Sequence, residues 1–194
     1  MYGMESTRER LIESTRQLLW ERGYVGTSPK AILSRADAGQ GSMYHHFSGK
    51  PELALAAINR TAEEMRAGIE VQLSGPGTPV ERITAYLRRE RDVLKGCPVG
   101  GLTQDPEIMD DPMLHQPVEE TFVWLHGRIA EVLAEARACG ELDPALDPAA
   151  TASTILAVLE GGYVLARAAG APEPFGYAID GVLGLLSTRT RSAD

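Results

Sequence analysis

Between residues 40 and 50 the chain sets out Gln40, Ser42, Met43, Tyr44, His45, His46 and Lys50. These side chains suit contact with a nucleic acid. A glutamine amide can make two hydrogen bonds to an adenine edge, whereas a thioether can touch only an apolar group such as a thymine methyl. Hydroxyls, imidazole N–H groups and an ammonium suit phosphate oxygens. Thr27, Ser28 and Lys30 add two hydroxyls and a further charge upstream, and amides at a helix start also favour a phosphate. The His45-His46 pair could suggest a metal. Adjacent residues on a helix, however, point about 100° apart, and no nearby cysteine or acid completes a ligand set. No metal or other cofactor is expected. Phe47 reads as a core aromatic and Tyr44 as a phosphate contact.

The elements that must carry these groups are helices. No alternating strand pattern persists, while apolar residues recur at helical spacing throughout. Ser6-Thr7-Arg8-Glu9 reads as a capping box ahead of a helix with Leu11, Thr15, Leu18 and Leu19 on one face, stopped by Gly23. Ser28-Pro29 starts a second helix ending near Ala36, and a third fits Gln40 to His45. Between them Asp37-Ala38-Gly39 makes the short turn of a helix-turn-helix, with Asp37 suited to a left-handed conformation and Ala38 filling the gap. A fourth helix opens near Lys50 with the stripe Ile58, Ala62, Met65, Ile69 and Leu73. Ser74 to Pro79 breaks it, and a fifth is expected to reach about Lys95. After the break at 96–101, residues 102–111 carry little pattern beyond a possible short helix. A long helix then runs from about Leu114 to Ala136, another from Asp147-Pro148 to Ala169, and a last one behind Pro172 and Pro174.

Composition limits the classes. The net charge of −8 argues against a nucleic-acid partner, yet residues 1–50 carry seven Lys/Arg against five Asp/Glu. The distribution is therefore a mildly basic head on an acidic body. Two cysteines, Cys97 and Cys139, are too few for a disulfide framework. No uninterrupted apolar run approaches the ~20 residues of a membrane span. The expectation is a cytoplasmic protein without membrane attachment. No glycine-rich phosphate loop, paired-cysteine zinc site or serine nucleophile motif is present, so an enzyme is not expected.

The run Gly23-Tyr24-Val25-Gly26-Thr27-Ser28, with Ile32, Ala36 and Gly41 through Lys50, resembles the DNA-binding head of TetR-family repressors. It departs from that pattern at Asp37, Gly39 and Pro29, where glycine, a serine cap and an aliphatic residue are usual. The segments 96–101, Phe122-Val123-Trp124 and 156–162 resemble the LmrA/YxaF-like branch of that family. The resemblance implies an all-α protein of about nine helices. A helix-turn-helix DNA-binding domain would occupy residues 1–49, and an effector-binding and dimerisation domain residues 50–194. It implies a repressor that binds palindromic double-stranded operator DNA as a homodimer and is released by a small hydrophobic or aromatic effector. The DNA contacts expected are Thr27, Ser28, Lys30, Gln40, Ser42, Met43, Tyr44, His45, His46 and Lys50.

Cys97, Leu102, Met109, Met113, Phe122, His126 and Tyr163 are the candidates for the effector pocket, because such sites combine apolar walls with a few polar groups. Each taken alone could instead simply fill the core, and Trp124 could line either pocket or dimer seam. The last two helices are apolar over more than one face. Leu156, Leu159, Gly162, Ala166, Ile179, Val182, Leu183 and Leu186 are therefore expected at a two-fold seam. An activator of the same fold, or a helical protein-binding module without DNA binding, would share much of this pattern.

Overall fold

The computed structural model describes residues 6–187, which contain helices and no strand. The α-helices among them are α1 (Thr7–Arg22), α2 (Pro29–Ala36), α3 (Gln40–His46), α4 (Lys50–Leu73), α5 (Pro79–Arg88), α6 (Pro106–Asp110), α7 (Pro112–Ala138), α8 (Pro148–Ala169) and α9 (Glu173–Ser187). A 3-10 helix spans Gly100–Gln104. The all-α expectation holds, with nine α-helices among the described residues.

Local signals account for most boundaries. The Ser6 hydroxyl accepts from the Glu9 amide and starts α1, while the Glu9 carboxylate pairs with Arg8 and Arg60. Ser28 caps α2 through the Ala31 amide, and Pro29 takes the first turn. Thr78 and Glu81 form a reciprocal capping box on α5. Asp147 caps α8, which ends on left-handed Gly170.

One boundary differs from expectation. Helix α5 stops at Arg88 rather than near Lys95. The Arg91 guanidinium turns back and donates to the carbonyls of Tyr86, Leu87 and Arg89, taking up the open end of the helix. Burial pushes its pKa below the usual arginine value, and the rings of Tyr86 and Phe175 lie 5.3 and 5.7 Å from it.

The chain divides into two compact units. The first comprises residues 1–64 and 97–121, the second 65–96 and 122–194. In the first, Leu11, Leu18, Ile32, Met43, Leu53, Ile58, Ile108 and Leu114 are fully buried, each adding about 1.5–3 kcal/mol of burial. The sparsely patterned 102–111 segment thus packs with the helices at the start of the chain. The core of the second unit gathers Ile69, Leu73, Ile83, Tyr86, Ile129, Val132, Ile155, Leu159, Ile179 and Val182, among others. By length and composition α8 could cross a membrane; its Ala152, Ile155, Leu159 and Ala166 are instead buried in this core.

Candidate nucleic-acid interface

Helices α2 and α3 are joined at Asp37, whose φ of 46° makes it the only non-glycine residue with positive φ among those described. An aspartate tolerates that conformation at little cost. Arg10 of α1 braces this turn, donating from Nε to the Ala36 carbonyl at 3.1 Å and from Nη2 to the Asp37 carbonyl at 3.5 Å. No local signal in the sequence marks Arg10 for that task, because its partner lies 26 residues away.

The two faces of α3 separate cleanly. Gln40 and Tyr44, four residues apart, are exposed, as is His45. Met43 between them, and Phe47 just past the end of the helix, are 1% and 3% exposed. This is the i, i+4 geometry of one helix presenting a polar face outward and an apolar one inward. An open groove of about 870 Å³ lies along α2 and α3, lined by Lys30, Leu33, Asp37, Gln40, Met43 and Tyr44.

Two expectations need correction. Met43 is a core residue and cannot reach a base methyl. Thr27 is 1% exposed and its hydroxyl donates to the Gly23 carbonyl at 2.6 Å, so it locks the turn behind α1 instead of offering an outward hydroxyl. Ser28, Lys30, Gln40, Tyr44 and His45 are exposed, and Ser42, His46 and Lys50 are half-buried. Phe47 sits in the core as expected. The rings of His45 and His46 meet edge to face with centroids 4.9 Å apart.

Lys50 opens α4, and its Nζ lies 3.7 Å over the ring of Tyr24. The Glu52 carboxylate accepts from the Ser48 amide, which holds it below the usual carboxylate range, helped by the Ser48 hydroxyl and Arg8. Tyr24 is buried, and burial, with the charges of Glu107, Asp111 and Asp105, pushes its phenol up. Asp105 is a further residue the sequence did not single out. Asp105-Pro106 carries a helix-start signal like Asp147-Pro148, but nothing in it points to the distant backbone amides of Tyr24 and Val25 that Asp105 binds.

The seven effector candidates fall in both units. Cys97, Leu102, Met109 and Met113 belong to the first, and Phe122, His126 and Tyr163 to the second. Leu102 is buried, Met109 and Met113 are 38% and 56% exposed, and Cys97 accepts from the Gly100 amide. Phe122 is half-buried. His126 Nε2 lies 3.0 Å from the Ala149 carbonyl and 3.1 Å from the Ser153 hydroxyl. Tyr163 stacks on Phe175 with centroids 4.8 Å apart. Trp124 is half-buried against the core of the second unit.

The expected seam residues also need correction. Leu159, Gly162, Ala166, Ile179, Val182 and Leu186 are buried within a single chain, where they hold α8 against α9. Such side chains have no surface left for a partner. Leu156 and Leu183 are partly buried. The apolar groups that stay open on these helices are Val164, Leu165, Tyr177 and Leu185, each at least 55% exposed.

Comparison with known proteins agrees with this geometry. Residues 11–57 match the family described as bacterial regulatory proteins, tetR family. Residues 79–182, over half the chain, match the tetracyclin repressor-like C-terminal domain. The chain is 29% identical to an uncharacterised HTH-type transcriptional regulator in the lacX 3′ region of Lactococcus lactis subsp. lactis, across 86% of each protein. It is 29% identical to the HTH-type transcriptional regulator LmrA of Bacillus subtilis, across 84% of this chain and 87% of that one. Among solved structures, a TetR transcriptional regulator from Chloroflexus aurantiacus superposes with a TM-score of 0.83 at 28% identity, covering 94% of this chain and 95% of the other. With a polar α3 face behind a braced turn and both halves matched, the chain belongs to the TetR family of transcriptional regulators, which bind operator DNA and are not enzymes.

Proposed function

We propose that the chain is a ligand-responsive repressor that binds a palindromic operator as a homodimer and is released by a small hydrophobic or aromatic effector. Residues 1–49, joined by Lys50 at the start of α4, make the DNA contacts, and the rest of residues 50–194 takes the effector and the second copy. The observation that carries the DNA part is the exposed pairing of Gln40 and Tyr44 on α3 above the α2–α3 groove. Gln40 reads a base, Tyr44 and Lys50 grip phosphate, and Ser28 and Lys30 add contacts at the start of α2. His45 and His46 supply donors at the end of α3.

The dimer reading is supported by Val164, Leu165, Tyr177 and Leu185, large apolar side chains left open on α8 and α9. Large apolar side chains left exposed on two helices that pack on each other are candidates for an interface with a second copy. Two heads related by a two-fold axis would match palindromic DNA. The effector reading is supported by Phe122 and Tyr163, half-buried aromatics within the second unit.

The test is selection of bound duplexes from a randomised pool with the purified protein, followed by screening of aromatic compounds for release. A palindromic consensus, and a compound that raises the thermal midpoint while weakening that complex, are the expected results. A pool that stays random after repeated selection would refute the DNA reading. Compounds that leave both midpoint and complex unchanged would refute the effector reading.

A further inference from the structure

Asp105 stands outside every role described so far. It is 7% exposed, and both its carboxylate oxygens are occupied by backbone amides. Oδ2 accepts from Tyr24 N at 2.7 Å and from Val25 N at 2.9 Å, and Oδ1 accepts from Glu107 N at 3.2 Å. The first two bonds join the turn behind α1 to a segment some 80 residues later, within the same compact unit. The approach is tight. A Cβ on Gly23, whose φ is 70°, would lie 2.9 Å from Asp105 Oδ2.

The turn that Asp105 holds leads to two parts of the DNA-facing surface. The Tyr24 carbonyl accepts from the Thr27 amide at 3.1 Å, and Ser28 follows as the cap of α2. The Tyr24 ring lies under the Lys50 ammonium. A shift of Tyr24 would therefore move the seat of a phosphate-gripping charge and the start of a helix that flanks the groove. Helix α1 and its buried hydroxyl Thr15 need no such distant carboxylate, since the Thr15 hydroxyl bonds the Leu11 carbonyl within its own helix.

We propose that Asp105 is a positioning residue for DNA binding: by clamping the Tyr24–Val25 amides it sets the place of the Tyr24 ring and, through it, of Lys50. The inference rests on residues 1–49 being the DNA-binding head. It makes operator affinity depend on a residue outside the helix-turn-helix, Asp105 at the start of α6.

The chemistry supplies a sharp substitution. Asp105→Asn keeps the shape but leaves one acceptor oxygen where two are used, so either the turn or the α6 cap must face an N–H with an N–H. Operator binding is measured for wild type, Asp105→Asn, Lys50→Met and the double variant, on the full chain and the selected duplex. Loss of a charge-assisted bond predicts that Asp105→Asn weakens binding by about tenfold. In the Lys50→Met background the same change should cost about twofold or less, because the charge it positions is gone. Melting temperatures should fall by the same amount in both backgrounds. An equal affinity loss in both backgrounds, or none in either, overturns the proposal. Hydrogen exchange on the wild type needs no variant: the Tyr24 and Val25 amides should be strongly protected, and exchange at open-chain rates would refute the clamp. A wild type that selects no duplex would sink the reading of the head, and this inference with it, while the amides still report whether the clamp exists.

Discussion

Gly162 of α8 faces Phe175 of α9 so closely that a Cβ at position 162 would lie 2.9 Å from the Phe175 ring. The absence of a side chain lets the two helices meet, and the ring fills the space against Tyr163. Gly162→Val should therefore overpack this contact and lower stability by about 1–3 kcal/mol. Gly161, which has nothing within 4 Å of its Cβ position, should tolerate alanine. Thermal melts of Gly162→Val and Gly161→Ala make the comparison. Equal midpoints for the two would contradict the packing account.

Met43 tests the assignment of faces on α3. As a fully buried side chain it should lose about 2–5 kcal/mol of stability on Met43→Ala, and less than about 1.5 kcal/mol on Met43→Leu. Neither change should alter the preferred base sequence beyond weakening it uniformly. A new preference at one base position in Met43→Leu would place the side chain at the DNA after all.

Gln40 and Lys50 should fail differently. Gln40→Ala is expected to relax preference at one symmetric pair of base positions by about 1–3 kcal/mol each. Lys50→Ala should weaken specific and random DNA alike and reduce the salt slope by roughly one unit per head. Tyr44→Phe removes only a hydroxyl and should cost on the order of 1 kcal/mol. Selection with randomised duplexes and titration at several salt concentrations separate the three. An unchanged consensus in Gln40→Ala together with an altered one in Lys50→Ala would reverse the division of labour.

The open apolar groups on α8 and α9 give the dimer proposal its test. Leu185→Arg, at a position 68% exposed in the single chain, should leave the fold intact and shift sedimentation from twice the chain mass towards one chain. The charge would have no partner in an apolar seam. A variant that still sediments with the wild-type dimer would exclude Leu185 from the seam.

Acid should weaken the second unit through Glu70. Its carboxyl is held below the ordinary carboxylate value by hydrogen bonds from Arg128 and Ser74. A group whose folded pKa is lowered adds stability above its unfolded value, here about 4.3, and that stability is lost as pH falls towards the folded value. The melting temperature of wild type should fall below that pH more steeply than that of Glu70→Gln. Parallel curves for the two proteins would show that the Arg128 pair contributes nothing to acid sensitivity.

Much of this protein was legible because the governing interactions are local. Ser28 and Pro29 start α2, Asp37 takes the left-handed turn and Lys50 opens α4 because capping and φ preferences act within a few residues. The same is true of the break at residues 74–79. The outward pairing of Gln40 and Tyr44 follows from helical spacing once the inner face is known. Which face of a seven-residue helix turns inward is decided by what packs on it, and so Met43 proved to be core. Thr27 carried a plausible outward hydroxyl until the turn behind α1 folded it onto the Gly23 carbonyl. The end of α5 was set by Arg91 reaching back to three carbonyls. The apolar excess of α8 and α9 was visible as an amount, but only their mutual packing showed that Leu159, Ala166 and Val182 spend it within one chain and leave Val164, Leu165, Tyr177 and Leu185 outside. Asp105 lies furthest from local reading. A carboxylate is fitted to backbone amides 80 residues away by the closing of the unit's core, and sequence periodicity carries no term for that distance.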